Sequence, residues 1–257
     1  MLADHSKMSI ALIVFYIPVI ILSTYLACYR HRRPRMAWNT LIFFSSIRIA
    51  AGVLVIISEQ KPSTGFMIAA TILLNAGVFP LIAATMGFIR IITTIEQNMD
   101  PRIRQGLRFS RILFIVGLSL TVAGGALEGS DTTSDVLIGF KLVKSGYSIV
   151  VIFAAILLAI QAYFWTQSSL FSGTSRMLLK AMTLGTPFIV VRITYLFLSV
   201  LHTSDLKWNA LLGPIAPFLV MGLLMEYFVV GVYLTTGVMM SPKAIPAKQR
   251  IPDEETM

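Results

Sequence analysis

Three ionisable side chains, Arg48, Arg192 and Glu226, stand inside long apolar runs of the chain. A charge at the bilayer centre is costly, so such residues mark ion pairs, ligand pockets or proton chemistry before anything else. Counted from the start of their runs, Arg48 lies about eleven residues in, Arg192 about twelve and Glu226 about fourteen. At roughly 1.5 Å rise per residue, all three reach the middle of a membrane. Asn75, about ten residues into its run, falls at a similar depth. Two arginines and one glutamate leave one positive charge over.

That layer admits several uses. The plainest is a structural ion pair of Glu226 with Arg192 or Arg48, because a buried charge must find a partner. In a second, Arg48, Asn75, Arg192, Tyr195 and Glu226 are ligand-binding residues for an anionic or carbonyl-bearing molecule. In a third, Glu226 is a catalytic proton donor assisted by Glu59 or Glu128, which lie near the ends of their runs and would rim a cavity. Protonating an alkene or epoxide needs a carboxyl kept neutral. An apolar site favours that state and an arginine contact opposes it.

The elements that must position these residues follow from composition. Of 257 residues, 56% are hydrophobic and 13% charged, with mean hydropathy +0.80, against roughly 45–50% and 25% in soluble domains. That much apolar surface needs lipid as solvent, and helices are the spanning element because each satisfies its own backbone. Seven runs are long enough: Ser9–Tyr29, Ala37–Ile57, Gly65–Ile89, Arg111–Glu128, Val143–Trp165, Lys180–Leu201 and Leu212–Thr236. The fold class expected is therefore an all-α polytopic bundle of about seven transmembrane helices over residues 1–240, with a disordered cytosolic tail at 241–257. The first run is too long and lacks the basic leader of a cleaved signal peptide. Gly129–Leu142 reads as the longest loop on the non-cytosolic side.

Loop charges orient the bundle. Thirteen Lys and Arg fall at one end, including Arg30–Arg35, Arg102–Arg111, Arg176, Lys180 and the tail, against five at the other: Lys7, Lys61, Lys141, Lys144 and Lys207. The basic end is cytosolic by the positive-inside rule, which places the N-terminus outside and the C-terminus inside. Orienting charge also accounts for the formal net charge of +9, and no aromatic-plus-basic motif points to nucleic acid. Trp38, Tyr163, Phe164, Trp165 and Trp208 at run ends suit an aromatic belt. Ala123–Gly125 and other small residues permit close helix packing. Pro80 and Pro187 would kink or loosen their helices. The single cysteine, Cys28, is expected to be a buried, inert thiol, with palmitoylation beside the basic stretch as the alternative.

Several activities are argued down. No lysine stands in the seventh run for a retinal Schiff base, and there is no Walker loop. His5, His31 and His202 lie outside the runs or at their edges, so no metal or haem is expected, and no other cofactor. Seven spans do not split into two inverted halves as many transporters do.

The stretch Pro187-Phe188-Ile189-Val190-Val191-Arg192-Ile193-Thr194-Tyr195, with Met225-Glu226-Tyr227, Arg48 and Pro80-Leu81, resembles a fungal family of seven-helix integral membrane proteins of unknown function. The resemblance implies topology and a fungal setting, and no activity. Other fungal seven-helix groups include lipid- or drug-responsive proteins and small terpene cyclases of secondary metabolism, but no motif ties the chain to either. The function expected is a multi-pass membrane protein of the plasma membrane or endoplasmic reticulum that binds a lipid or small amphiphile within its bundle, receptor-like or lipid-handling. The alternative is an acid-initiated terpene cyclase.

Overall fold

The computed structural model describes residues 4–30, 36–61, 63–96, 101–130, 132–201 and 213–240. His31, Arg32, Arg33, Arg35, Asp131, His202, Lys207, Trp208 and the tail 241–257 lie outside the described residues. The described residues are helical, without strands. Seven helical segments are long and apolar enough to cross a membrane: His5–Tyr29, Met36–Gln60, Gly65–Ile95, Gln105–Leu127, Thr133–Thr166, Gly173–Leu201 and Ile215–Met239.

The helices are α1 (Asp4–Tyr25, continued by a π-helical turn Leu26–Arg30), α2 (Met36–Gln60), α3 (Thr64–Ala76), α4 (Val78–Ile95), α5 (Pro101–Leu127), α6 (Thr133–Thr166) and α7 (Gly173–Leu201). The last span joins a short turn, α8 (Ile215–Pro217), through a π-helical stretch Phe218–Leu224 to α9 (Met225–Met239). Helices α3 and α4 form the third span and meet at Gly77, so Pro80 falls in the first turn of α4, where a missing N–H costs no intrahelical bond. Pro187, by contrast, lies inside α7, which continues past it.

The outer faces explain the solvent. On α1, Ile10, Val14, Ile17 and Ile21 recur at helical spacing and are all exposed, a stripe that lipid tolerates and water does not. Helix α4 is the centre: every residue from Val78 to Ile89 is buried, and it touches α2, α5, α6 and α7. Helices α5 and α6 cross on glycines. A Cβ on Gly124 would meet the Val143 backbone nitrogen and the Gly139 carbonyl at 2.7 and 2.8 Å, so only a bare Cα permits that approach.

Four local expectations change. Helix α6 begins at Thr133 and absorbs most of the stretch read as a loop at Gly129–Leu142. Asp135 in its first turn complements the helix dipole, a signal that hydropathy does not carry. Trp38 belongs to the core, fully buried and edge-on to Phe88 at 5.6 Å between ring centroids. Phe164 is buried as well, whereas Tyr163 and Trp165 are exposed as a belt requires. Cys28 is exposed at the π-helical end of the first span, not a core thiol.

Candidate functional site

The midplane layer closes on Glu226. Its Oε1 accepts from Arg192 Nε at 2.7 Å and from Arg48 Nη2. Its Oε2 accepts from the Tyr16 hydroxyl at 3.4 Å. Both guanidinium groups also share one backbone acceptor, the Leu74 carbonyl, with Arg48 Nη1 at 2.7 Å and Arg192 Nη2 at 3.2 Å. Five helices, α1, α2, α3, α7 and α9, thus meet at one cluster whose charged members are essentially without solvent exposure.

Local backbone features make room for it. The interruption at Gly77 falls three residues after Leu74, beside the carbonyl that takes both guanidinium groups. A Cβ on Gly77 would stand 2.5 Å from Arg48 Cζ, so the glycine is the seat of that guanidinium. Gly222, in the π-helical stretch before Glu226, does the same for Arg192, whose Nη1 would lie 3.2 Å from an added Cβ. Aromatic faces complete the cage: Phe44 lies under Arg48 at 5.4 Å, and Tyr195 and Phe218 flank Arg192 at 5.5 and 5.7 Å. Arg48 Nε, Arg192 Nη1 and Asn75 Oδ1 are buried without a hydrogen-bond partner among the described residues.

Of the candidate residues, Arg48, Arg192 and Glu226 are brought into direct contact, Tyr195 packs its ring on Arg192, and Asn75 stands next to Leu74 without joining the network. Glu226 accepts at both oxygens and donates from neither, an arrangement suited to charge neutralisation. Glu59 is placed elsewhere: it is exposed at the end of α2 and takes a hydrogen bond from Ser6 of α1. Glu128 is half-buried just past the end of α5, where α6 passes close at Gly139. Reading from residue types missed Tyr16, Gly77, Gly222 and the Leu74 carbonyl. Tyr16 carried a usable signal, since a tyrosine in mid-span is no belt residue and its hydroxyl must find a partner.

Two open clefts border the bundle, both apolar with polar groups toward the same end. The first, about 650 Å³, lies between α7 and α9 and runs from Lys180 and Thr235 past Leu184 and Gly231 to Tyr227 and Phe228. Its deep end adjoins the Glu226 layer through Tyr227. The second, about 520 Å³, lies among α2, α4 and α5. No group of three or more His, Cys, Asp or Glu that could hold a metal occurs among the described residues.

At the end shared by both clefts, Glu96 ties the third span to the sixth. Its Oε1 accepts from the Ser172 N–H at 2.9 Å and the Ser175 hydroxyl at 2.8 Å, at the start of α7. Burial alone would raise the Glu96 carboxyl, but the hydrogen bonds from Ser172 and Ser175 outweigh it and hold the pKa below the usual carboxylate value.

Residues 2–243 match the model of a protein family described as a domain of unknown function, DUF7702. No curated protein and no solved structure matches the chain.

Proposed function

The chain belongs to the DUF7702 family, a domain of unknown function, and from that premise we propose that it is a receptor-like or lipid-handling membrane protein that binds a lipid or small amphiphile between α7 and α9. The reading is supported by the shape and polarity of the first cleft. About 650 Å³ lies within the range of small-molecule sites. Its walls are apolar, it is open on one side, and Lys180 with Thr235 puts a charge and a hydroxyl at one end, against the Tyr227 and Phe228 rings at the other. A molecule with one polar end and one apolar end fits that gradient, and the surrounding bilayer is its natural source. The Arg48–Glu226–Arg192 cluster then sets the back wall in place through Tyr227, which follows Glu226 in α9 and lies edge-on to Tyr16 at 5.8 Å. The resemblance around Pro187–Tyr195 and Met225–Tyr227 supports a fungal setting, in the plasma membrane or the endoplasmic reticulum.

Gly231 supplies the test, because a Cβ there meets nothing within 4 Å. Gly231→Leu places a branched side chain in the cleft from a position whose Cβ is unobstructed. Photocrosslinking with a diazirine-bearing palmitate analogue in nanodiscs should label peptides of α7 and α9 in the wild type and severalfold less in Gly231→Leu. Equal labelling of the two proteins, or labelling confined to other helices, would overturn the proposal.

A further inference from the structure

The second cleft is a separate matter. It is lined by the start of α2, the α4 face after the Gly77 break, and the middle of α5. Its walls are apolar, with Phe43, Phe114 and Leu118 among them, and Arg90 and Arg111 both border it. Helix α4 runs toward the basic end and α5 runs away from it. Side chains lean toward the N-terminus of their own helix, so Arg90 leans inward from the end and Arg111 leans outward toward it. That lean favours bringing the two guanidinium groups nearer one level than their backbones are.

Among the described residues, neither arginine meets a carboxylate. Among the described residues the acceptor offered to Arg90 is the Met36 thioether, with Nη1 to Sδ at 3.0 Å, a weak acceptor. Arg111 is exposed and bonds no described residue. The ion pairs among the described residues are those of Glu226 with Arg48 and Arg192, so no described carboxylate neutralises this cleft. Asn39 and Thr40 add polar groups beside Arg90, on the first turns of α2. The cleft thus joins two planar donors that no described carboxylate meets to an apolar trough. Guanidinium groups of this kind bind phosphate bidentately, and basic pockets between spans suit anionic lipid headgroups.

We propose that the cleft among α2, α4 and α5 seats an anionic membrane phospholipid, its phosphate held by Arg90 and Arg111 and one acyl chain lying along Phe43, Phe114 and Leu118. The site is distinct from the α7–α9 cleft and shares no residue with it, so either assignment can fail alone.

The test is lipid binding by native mass spectrometry, titrating the purified full chain with dioleoyl phosphatidic acid or dioleoyl phosphatidylcholine, with inorganic phosphate as competitor. Phosphatidic acid should be retained preferentially. Arg90→Gln and Arg111→Gln should each weaken that preference by about fivefold, and together they should abolish it. Lys141→Gln, exposed on α6, should leave it unchanged, as should Gly231→Leu. Arg111→Glu guards against a folding artefact, since the exposed side chain supports no described contact, and it should remove the preference in a protein of normal melting temperature. Equal retention of the two lipids, a preference that survives the double substitution, or displacement of the lipid by millimolar inorganic phosphate would overturn the proposal.

Discussion

Glu226 is outnumbered, and the imbalance orders the substitutions. Replacing Arg48 or Arg192 with glutamine leaves one arginine facing one carboxylate, a neutral pair. Glu226→Gln leaves two cations with no counter-ion in a layer without solvent access. Removing one partner of a buried pair costs about 3–5 kcal/mol in soluble proteins, so Glu226→Gln should lower the melting temperature in detergent more than either arginine substitution. Equal losses would mean that the carboxylate is not what holds the layer together. The convergence of these three residues was legible from depth counting alone, because buried charges at one level have few other partners. The remaining contacts were not. A backbone carbonyl such as that of Leu74 has no sequence signature, and Gly77 looks like any other glycine until a guanidinium is found beside it.

At the scale of the helix, glycines of the same type carry opposite meanings. Gly77 has φ −60° and ψ −21°, which any residue adopts, so backbone freedom is not why it is glycine. Space is the reason, since an added Cβ would fall 2.5 Å from Arg48 Cζ. Gly231 lies within α9 with nothing near its missing side chain. Alanine inside a helix is favoured over glycine by about 1 kcal/mol. Gly231→Ala should therefore raise the melting temperature, while Gly77→Ala should lower it by displacing the guanidinium. A stabilising Gly77→Ala would show that the α3–α4 junction does not seat Arg48. The seven spans were legible because hydropathy counts the residues that lipid must solvate. It is silent on the polar ends of the same helices, which is why Thr133–Leu142 read as a loop and α7 begins at Gly173, seven residues before its apolar run. Trp38 misleads for a related reason: position at a run end is visible in sequence, but which side of the helix packs inward is not.

Across the whole molecule, the Glu226 cluster pins α1, α2, α3, α7 and α9, whereas α5 and α6 are held to each other by glycine contacts. The polar groups of both clefts, Lys180 with Thr235 and Arg90 with Arg111, face the end to which the loop count assigns 13 of the 21 Lys and Arg. Lys180 and Arg111 enter both the loop count and the clefts, but setting these two aside still leaves eleven basic residues against five, and Arg90 and Thr235 face the same end. The topology prediction therefore bears on the lipid proposal. If the basic end is cytosolic, as the positive-inside rule predicts, both clefts open toward the leaflet rich in anionic lipid. A cytosol-only reporter fused after residue 240 should then be active, and the same reporter placed before residue 4 should be silent. The reverse result would turn Arg90 and Arg111 toward the leaflet poor in anionic headgroups and remove the reason for two arginines that meet no described carboxylate beside an apolar trough. Activity at both ends would require an even number of crossings, and the α5–α6 pair, joined to the rest without a charged pin, is the place where a span would have been miscounted.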